Sequence, residues 1–102
     1  MISRPLRVLV VGGIERLDVH YRQREDGVEI DTVFHDGPML GGRIESADGV
    51  VVITNVVSHT AVQKVARIAR HRGTPVMRVH GAGLSKVRRT IDALVEQIAH
   101  QG

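Results

Sequence analysis

Three histidines in this chain, His35, His59 and His80, each stand close to the end of a short apolar run, and Glu15 follows another. Imidazole and carboxylate are ligands for zinc and other divalent ions, so these residues outline one chemistry. A second is written in Gly12-Gly13 and in Asn55-Val56-Val57-Ser58. A glycine pair lets a ligand approach the backbone closely, and a serine that opens a helix stands beside amides that attract anions. Nucleophilic catalysis finds no set of residues. Cysteine is absent, and Ser58 beside His59 is not a triad, because adjacent residues at a helix start diverge. Neither the dinucleotide fingerprint nor a Gly-Lys-Ser/Thr phosphate loop occurs, and glycines stand where a phosphoacceptor site would need carboxylates.

The elements that must position these residues alternate along the chain. Leu6 to Val11 is an apolar run broken only by Arg7 and ended by Gly12-Gly13, which predicts a central strand. Ile14, Leu17 and Tyr21 at helical spacing predict a helix from Ile14 to about Glu25, closed by Asp26-Gly27. Val28 to Phe34 mixes β-branched with polar residues, the pattern of an edge strand with a wetter face. His35-Asp36-Gly37-Pro38 ends it, and one or two helical turns around Gly42 to Ser46 are expected next.

Gly49 to Thr54 is an unbroken Val/Ile strand expected to be buried on both faces. Ser58 then caps a helix with Val62, Val65, Ala66 and Ala69 on one stripe, and Gly73 and Pro75 close it. Val76 to Val79 forms a fourth strand, a glycine-rich turn follows, and Ser85 is expected to cap a last helix carrying Val87, Ile91, Leu94, Val95 and Ile98. Strand–helix alternation of this kind predicts one α/β domain over residues 1–102, a three-layer Rossmann-like open sheet of four parallel strands. Placing the most apolar strands centrally, with right-handed crossovers, gives the order 2-1-3-4.

That order sets the site. Ligands of open parallel sheets bind beyond the carboxyl ends of the strands, where the order reverses. Here the crevice falls between the first and third strands, walled by Gly12-Gly13 and Asn55 to Ser58. His35, His59, His80 and Glu15 share the rim. With strands about 4.8 Å apart, His35 and His80 begin roughly 14 Å from each other, too far to share one ion within a monomer. Metal binding through His35, His59 and His80 is therefore the alternative reading. Solitary capping or surface histidines are the commoner case.

Composition limits the classes. The mix of 42% hydrophobic and 25% charged residues is that of a globular domain, and with only Tyr21 and Phe34 aromatic, nucleic-acid stacking has almost no platform. A net charge of +3 permits attraction to anions or nucleic acid without demanding it, and the Lys64, Arg67, Arg70, Arg72 and Lys86, Arg88, Arg89 sets read first as solvated helix faces. A nucleic-acid accessory module that relies on phosphate contacts alone is a further alternative. No apolar run is long enough for a membrane span, no secretory pattern opens the chain, and the absence of cysteine fits a cytoplasmic protein.

Val10-Val11-Gly12-Gly13, His35-Asp36-Gly37, Ala47-Asp48, Val57-Ser58-His59-Thr60-Ala61 and Gly83-Leu84-Ser85 appear in that order. Together they resemble the prokaryotic family catalogued as domain of unknown function 2325. The resemblance spans nearly the whole chain, and Val-Ser-His is its most specific part. It implies a fold and a candidate site rather than a reaction, and singles out Gly12, Gly13, His35, Asp36, Gly37, Ser58, His59, Gly83 and Ser85. Many members carry a cysteine just before Val-Ser-His, where Val56 stands here, so thiol chemistry is not carried over.

The expectation is a small cytoplasmic domain that binds an anionic small molecule, a nucleotide or phosphometabolite, and senses or regulates. Gly12, Gly13, Glu15, His35, Asp36, Asn55, Ser58, His59, Gly83 and Ser85 are the candidate contacts. No cofactor is indicated, and the open sheet edges make a homodimer the expected assembly.

Overall fold

The apolar runs become β1 (Arg7–Val11), β2 (Glu29–Val33), β3 (Gly49–Ile53) and β4 (Val76–Val79). Between them lie a 3-10 turn (Glu15–Leu17) and α1 (Asp18–Arg22), then α2 (Leu40–Glu45), α3 (His59–Arg72) and α4 (Leu84–Gln101). The structure, a computed structural model, describes residues 4–34 and 40–101. The turn expected at His35-Asp36-Gly37-Pro38 lies outside them. All four strands are parallel in the order β2-β1-β3-β4, as the distribution of apolar residues predicts.

Alternation of side chains builds two cores, one on each face of the sheet. Val8, Val10, Ile30, Val51, Ile53 and Val79 meet Tyr21 of α1 and Val87, Ile91 and Leu94 of α4. Leu9, Val11, Val50 and Val52 meet Leu40 and Ile44 of α2 and Val62, Val65 and Ala69 of α3. β3 is buried along its whole length, which is why Val and Ile fill it after Gly49. Gly49 begins it because α4 crosses there: a Cβ would stand 2.9 Å from both Ile98 Cδ1 and Leu94 Cδ2.

α3 has the ends its sequence promises. Ser58 Oγ accepts from the Ala61 amide at 3.1 Å, and Gly73 closes the helix in the left-handed region at φ 71°. Two expectations need correction. The first helix does not reach Glu25: it is a 3-10 turn followed by five residues of α-helix, with Gln23 already extended at ψ 101°. Its apolar stripe holds, since Ile14 and Leu17 pack beside Tyr21 on the core, but the helix ends early, and Asp26 takes the Val28 amide in a local turn. Ser85 does not cap α4. The helix begins at Leu84, and the Gly83 carbonyl accepts the Val87 amide at 3.0 Å, so Gly83 is the capping position and Ser85 lies in the first turn.

At the opposite end of the sheet Asp48 ties β1 to β3. Its carboxylate accepts from the Arg7 amide at 2.8 Å and from both terminal nitrogens of Arg4 at 2.7 Å. Those Arg4 hydrogen bonds hold the Asp48 carboxyl below the ordinary carboxylate range against the opposing effect of burial.

Candidate functional site

The carboxyl ends of the strands carry the residues expected there, but the structure divides them differently. Gly12 and Gly13 both have positive φ, 96° and 107°, which L side chains rarely adopt. The space a side chain would need at Gly12 is filled from within, by Val57 Cγ1 at 3.1 Å and Ile53 Cβ at 3.2 Å. At Gly13 the Tyr21 ring stands 3.2 Å away. The pair thus lets β1, β3 and α1 close on one another. Gly12 N donates to the Val33 carbonyl at 2.8 Å and Ile14 N to the Tyr21 hydroxyl at 3.2 Å, while the Gly13 amide between them has no acceptor among the described residues. The element that follows is three residues of 3-10 helix, too short for an appreciable dipole. Glu15 is exposed on this turn.

The larger set of unpartnered amides lies on the β3 and β4 side. The loop after β3 (Thr54 to Ser58) and the loop after β4 (His80 to Gly83) are joined by Asn55, whose Oδ1 accepts from the Gly81 amide at 2.7 Å. A backbone bond from Thr54 N to the Val79 carbonyl at 2.9 Å braces the same junction. From these loops α3 and α4 depart into opposite layers, so two long helices start at one rim. The first turn of an α-helix leaves amides without intrahelical partners. Ser58 satisfies Ala61, while the His59 and Thr60 amides of α3 have no acceptor among the described residues. Leu84, Ser85 and Lys86 amides of α4 are likewise without one, because Gly83 brings no side chain to the cap. Neither first turn contains an acidic residue. Lys86 adds a cation, its Nζ donating to the His80 carbonyl at 2.7 Å.

Asn55, Ser58, His59, Thr60, His80, Gly83 and Ser85 are all exposed along this rim. The structure therefore places Asn55, Ser58 and His59 on one loop of the rim and Gly83 and Ser85 on the next, the two loops joined through Asn55 and Gly81, with Gly12 and Gly13 packed against Val57, Ile53 and Tyr21. His35 and Asp36 lie outside the described residues. His59 is tied along its own helix, Nε2 standing 3.2 Å from Gln63 Nε2. Among the described residues no three His, Asp or Glu side chains come together closely enough to hold a metal ion.

Sequence reasoning missed Lys86, Thr60 and Gly81, although a signal for them was present. Both helix starts are free of Asp and Glu, and a lysine two residues after Leu84 can fold back over a short loop. The basic residues of α3 and α4 do not merge into one surface, since the helices occupy opposite layers. Arg88 is also spent on the His20 carbonyl at 3.1 Å.

The profile of a family described as an uncharacterized protein conserved in bacteria (DUF2325) matches residues 7–94. The chain belongs to this family. The matched span runs from the start of β1 into α4 and includes the rim, Asn55, Ser58-His59 and Gly83-Ser85 among it. No curated protein and no solved structure matches the chain. Among the described residues no helix is long and apolar enough to cross a membrane.

Proposed function

We propose that this domain binds an anionic small molecule, a nucleotide or another phosphorylated metabolite, at the carboxyl ends of β3 and β4. The observation that carries the reading is the pairing of two long helix N-termini on one braced rim, with unused amides, no acidic first turn and Lys86 beside them. Helix-start amides and dipole ends stabilise negative charge, and a phosphate offers the oxygens to accept from them. Asn55, Ser58, His59, Thr60 and Ser85 supply polar side chains around the anion. The role is sensing or regulation, since no acid, base and nucleophile set accompanies the anion-binding groups. The setting is the cytoplasm, where phosphorylated metabolites are available to a cysteine-free domain.

Gly83→Asp tests the site without unfolding it. Gly83 has open space around its Cβ position and a φ outside the left-handed region, so an aspartate fits. Its carboxylate would cap α4 and take the amides meant for the ligand. A bound anion at about 100 times its Kd should add about 2.7 kcal/mol to the wild-type chain. In a thermal-shift panel of nucleotides and inorganic phosphate, that is a rise of several degrees. Gly83→Asp should melt at the wild-type temperature or above and lose the rise. Failure of every anion at millimolar concentration to raise Tm, or a rise that survives in Gly83→Asp, would contradict the proposal.

A further inference from the structure

The two edges of the sheet are treated differently, and the difference points to a partner. In β2 the residues bonded to β1 are Glu29, Asp31 and Val33, so Ile30 and Thr32 turn their peptide groups outward. Side chains cover all of these groups but the Ile30 amide. Arg22 Nη1 donates to the Ile30 carbonyl at 2.8 Å, Arg43 Nη1 to the Thr32 carbonyl at 3.3 Å, and Asp31 Oδ1 accepts the Thr32 amide at 3.0 Å. Arg22 is itself held by Asp18 and Thr32, and Arg43 by Asp31. With three of its four outward groups engaged, this edge is largely blocked against strand addition.

β4 has no such cover. Pro75, Met77 and Val79 face β3, which leaves the amides and carbonyls of Val76 and Arg78 directed outward. None of them has a hydrogen-bond partner among the described residues. Beside this edge runs a groove of about 390 Å³ lined by Met77, Arg78, Lys86, Arg89, Thr90 and Ala93. Its lining holds three cations and no carboxylate, with Met77 and Ala93 as apolar floor. Arg78 shares the α3 face of the sheet with Val76, whereas Lys86 and Arg89 belong to α4 on the other face. A strand laid along β4 would thus meet positive charge on both of its faces. Among the described residues Arg78 and Arg89 form no ion pair.

We propose that the open edge of β4 docks an extended acidic peptide segment of a partner protein, added to the sheet as a further strand. Main-chain hydrogen bonds to Val76 and Arg78 would give affinity, and carboxylates meeting Arg78, Arg89 and Lys86 would give selectivity. Charge decides between occupants. A second copy paired across a two-fold axis would bring the Arg78 and Arg89 sets of both chains together, which like-charge repulsion opposes. Nucleic acid would find cations here but no aromatic side chain for its bases and no use for the open peptide groups.

The probe is a short capped peptide of alternating Glu and Val, titrated against the full chain by fluorescence anisotropy. It should bind saturably, and the same peptide N-methylated at alternate residues should not, because methylation removes the donors that pair with the edge. Arg78→Glu/Arg89→Glu, at exposed positions outside the rim, should weaken the Glu–Val peptide by at least about tenfold and gain affinity for a Lys–Val peptide. That exchange of preference shows the variant to be folded. Equal binding of the N-methylated peptide would overturn the proposal, as would no binding at low salt. So would a stable dimer in sedimentation that Arg78→Glu/Arg89→Glu dissociates, or displacement of the peptide by an oligonucleotide with higher affinity for the same two arginines.

Discussion

Gly12→Val is expected to destabilise the domain by about 2–5 kcal/mol, combining backbone strain with overpacking. The φ of 96° lies where a β-branched residue is an outlier, and the new side chain would have to displace Val57 Cγ1 at 3.1 Å and Ile53 Cβ at 3.2 Å. Neither neighbour can give way easily: Ile53 is fully buried at the end of β3, and Val57 leads directly into the cap of α3. Against a total stability of about 5–15 kcal/mol for a domain, such a loss is large enough to leave part of the population unfolded. Gly27→Ala isolates the strain, because Gly27 has a φ of 79° and nothing within 4 Å of its Cβ position. Chemical denaturation should show the Gly27 variant losing about 1–2 kcal/mol, clearly less than the Gly12 variant. Equal losses would mean that crowding at Gly12 contributes nothing.

Tyr21→Phe should cost about 1–3 kcal/mol, the range for leaving a buried polar partner unsatisfied. The tyrosine is fully buried, donates to the Ala82 carbonyl at 2.7 Å and accepts from the Ile14 amide at 3.2 Å. One hydroxyl therefore joins the loop after β1 to the loop after β4 from beneath the rim. Phenylalanine keeps the packing and removes only this bridge. Hydrogen exchange should accelerate at Ile14 and at the Gly81 to Gly83 amides while β1 and β3 stay protected. A loss below about 0.5 kcal/mol, the scale of an ordinary surface substitution, would show the bridge to be dispensable.

Strand order was legible because burial was written into composition. Val50 to Ile53 has no polar residue and had to be central, while Glu29 and Asp31 in β2 and Arg78 in β4 marked the edges. The ends of α3 were legible for a local reason, a serine cap and a left-handed glycine. The first helix was legible in its apolar face, where Ile14, Leu17 and Tyr21 all pack on the core, but not in its length, because Arg22 turns to the edge of β2 and the chain is extended from Gln23. The local packing of the candidate site was less legible: strand order put the loops after β3 and β4 side by side, but nothing in the sequence showed that Val57, Ile53 and Tyr21 would fill the space beside Gly12 and Gly13. No spacing rule reveals which neighbour will occupy a glycine's empty side. The covered and open edges were invisible for a similar reason, since Arg22 and Arg43 come to β2 from two different helices.

The central claim, that an anion is held where α3 and α4 begin, is tested most directly by residue-resolved NMR. Amide resonances of the 15N-labelled chain would be followed as inorganic phosphate, and separately an adenine nucleotide, is added to millimolar concentration. Saturable shifts should concentrate at His59, Thr60, Leu84, Ser85 and Lys86, with smaller ones at Asn55 and Gly81. Shifts confined to the Arg67 to Arg72 end of α3, or no saturable shift at either helix start, would contradict the account.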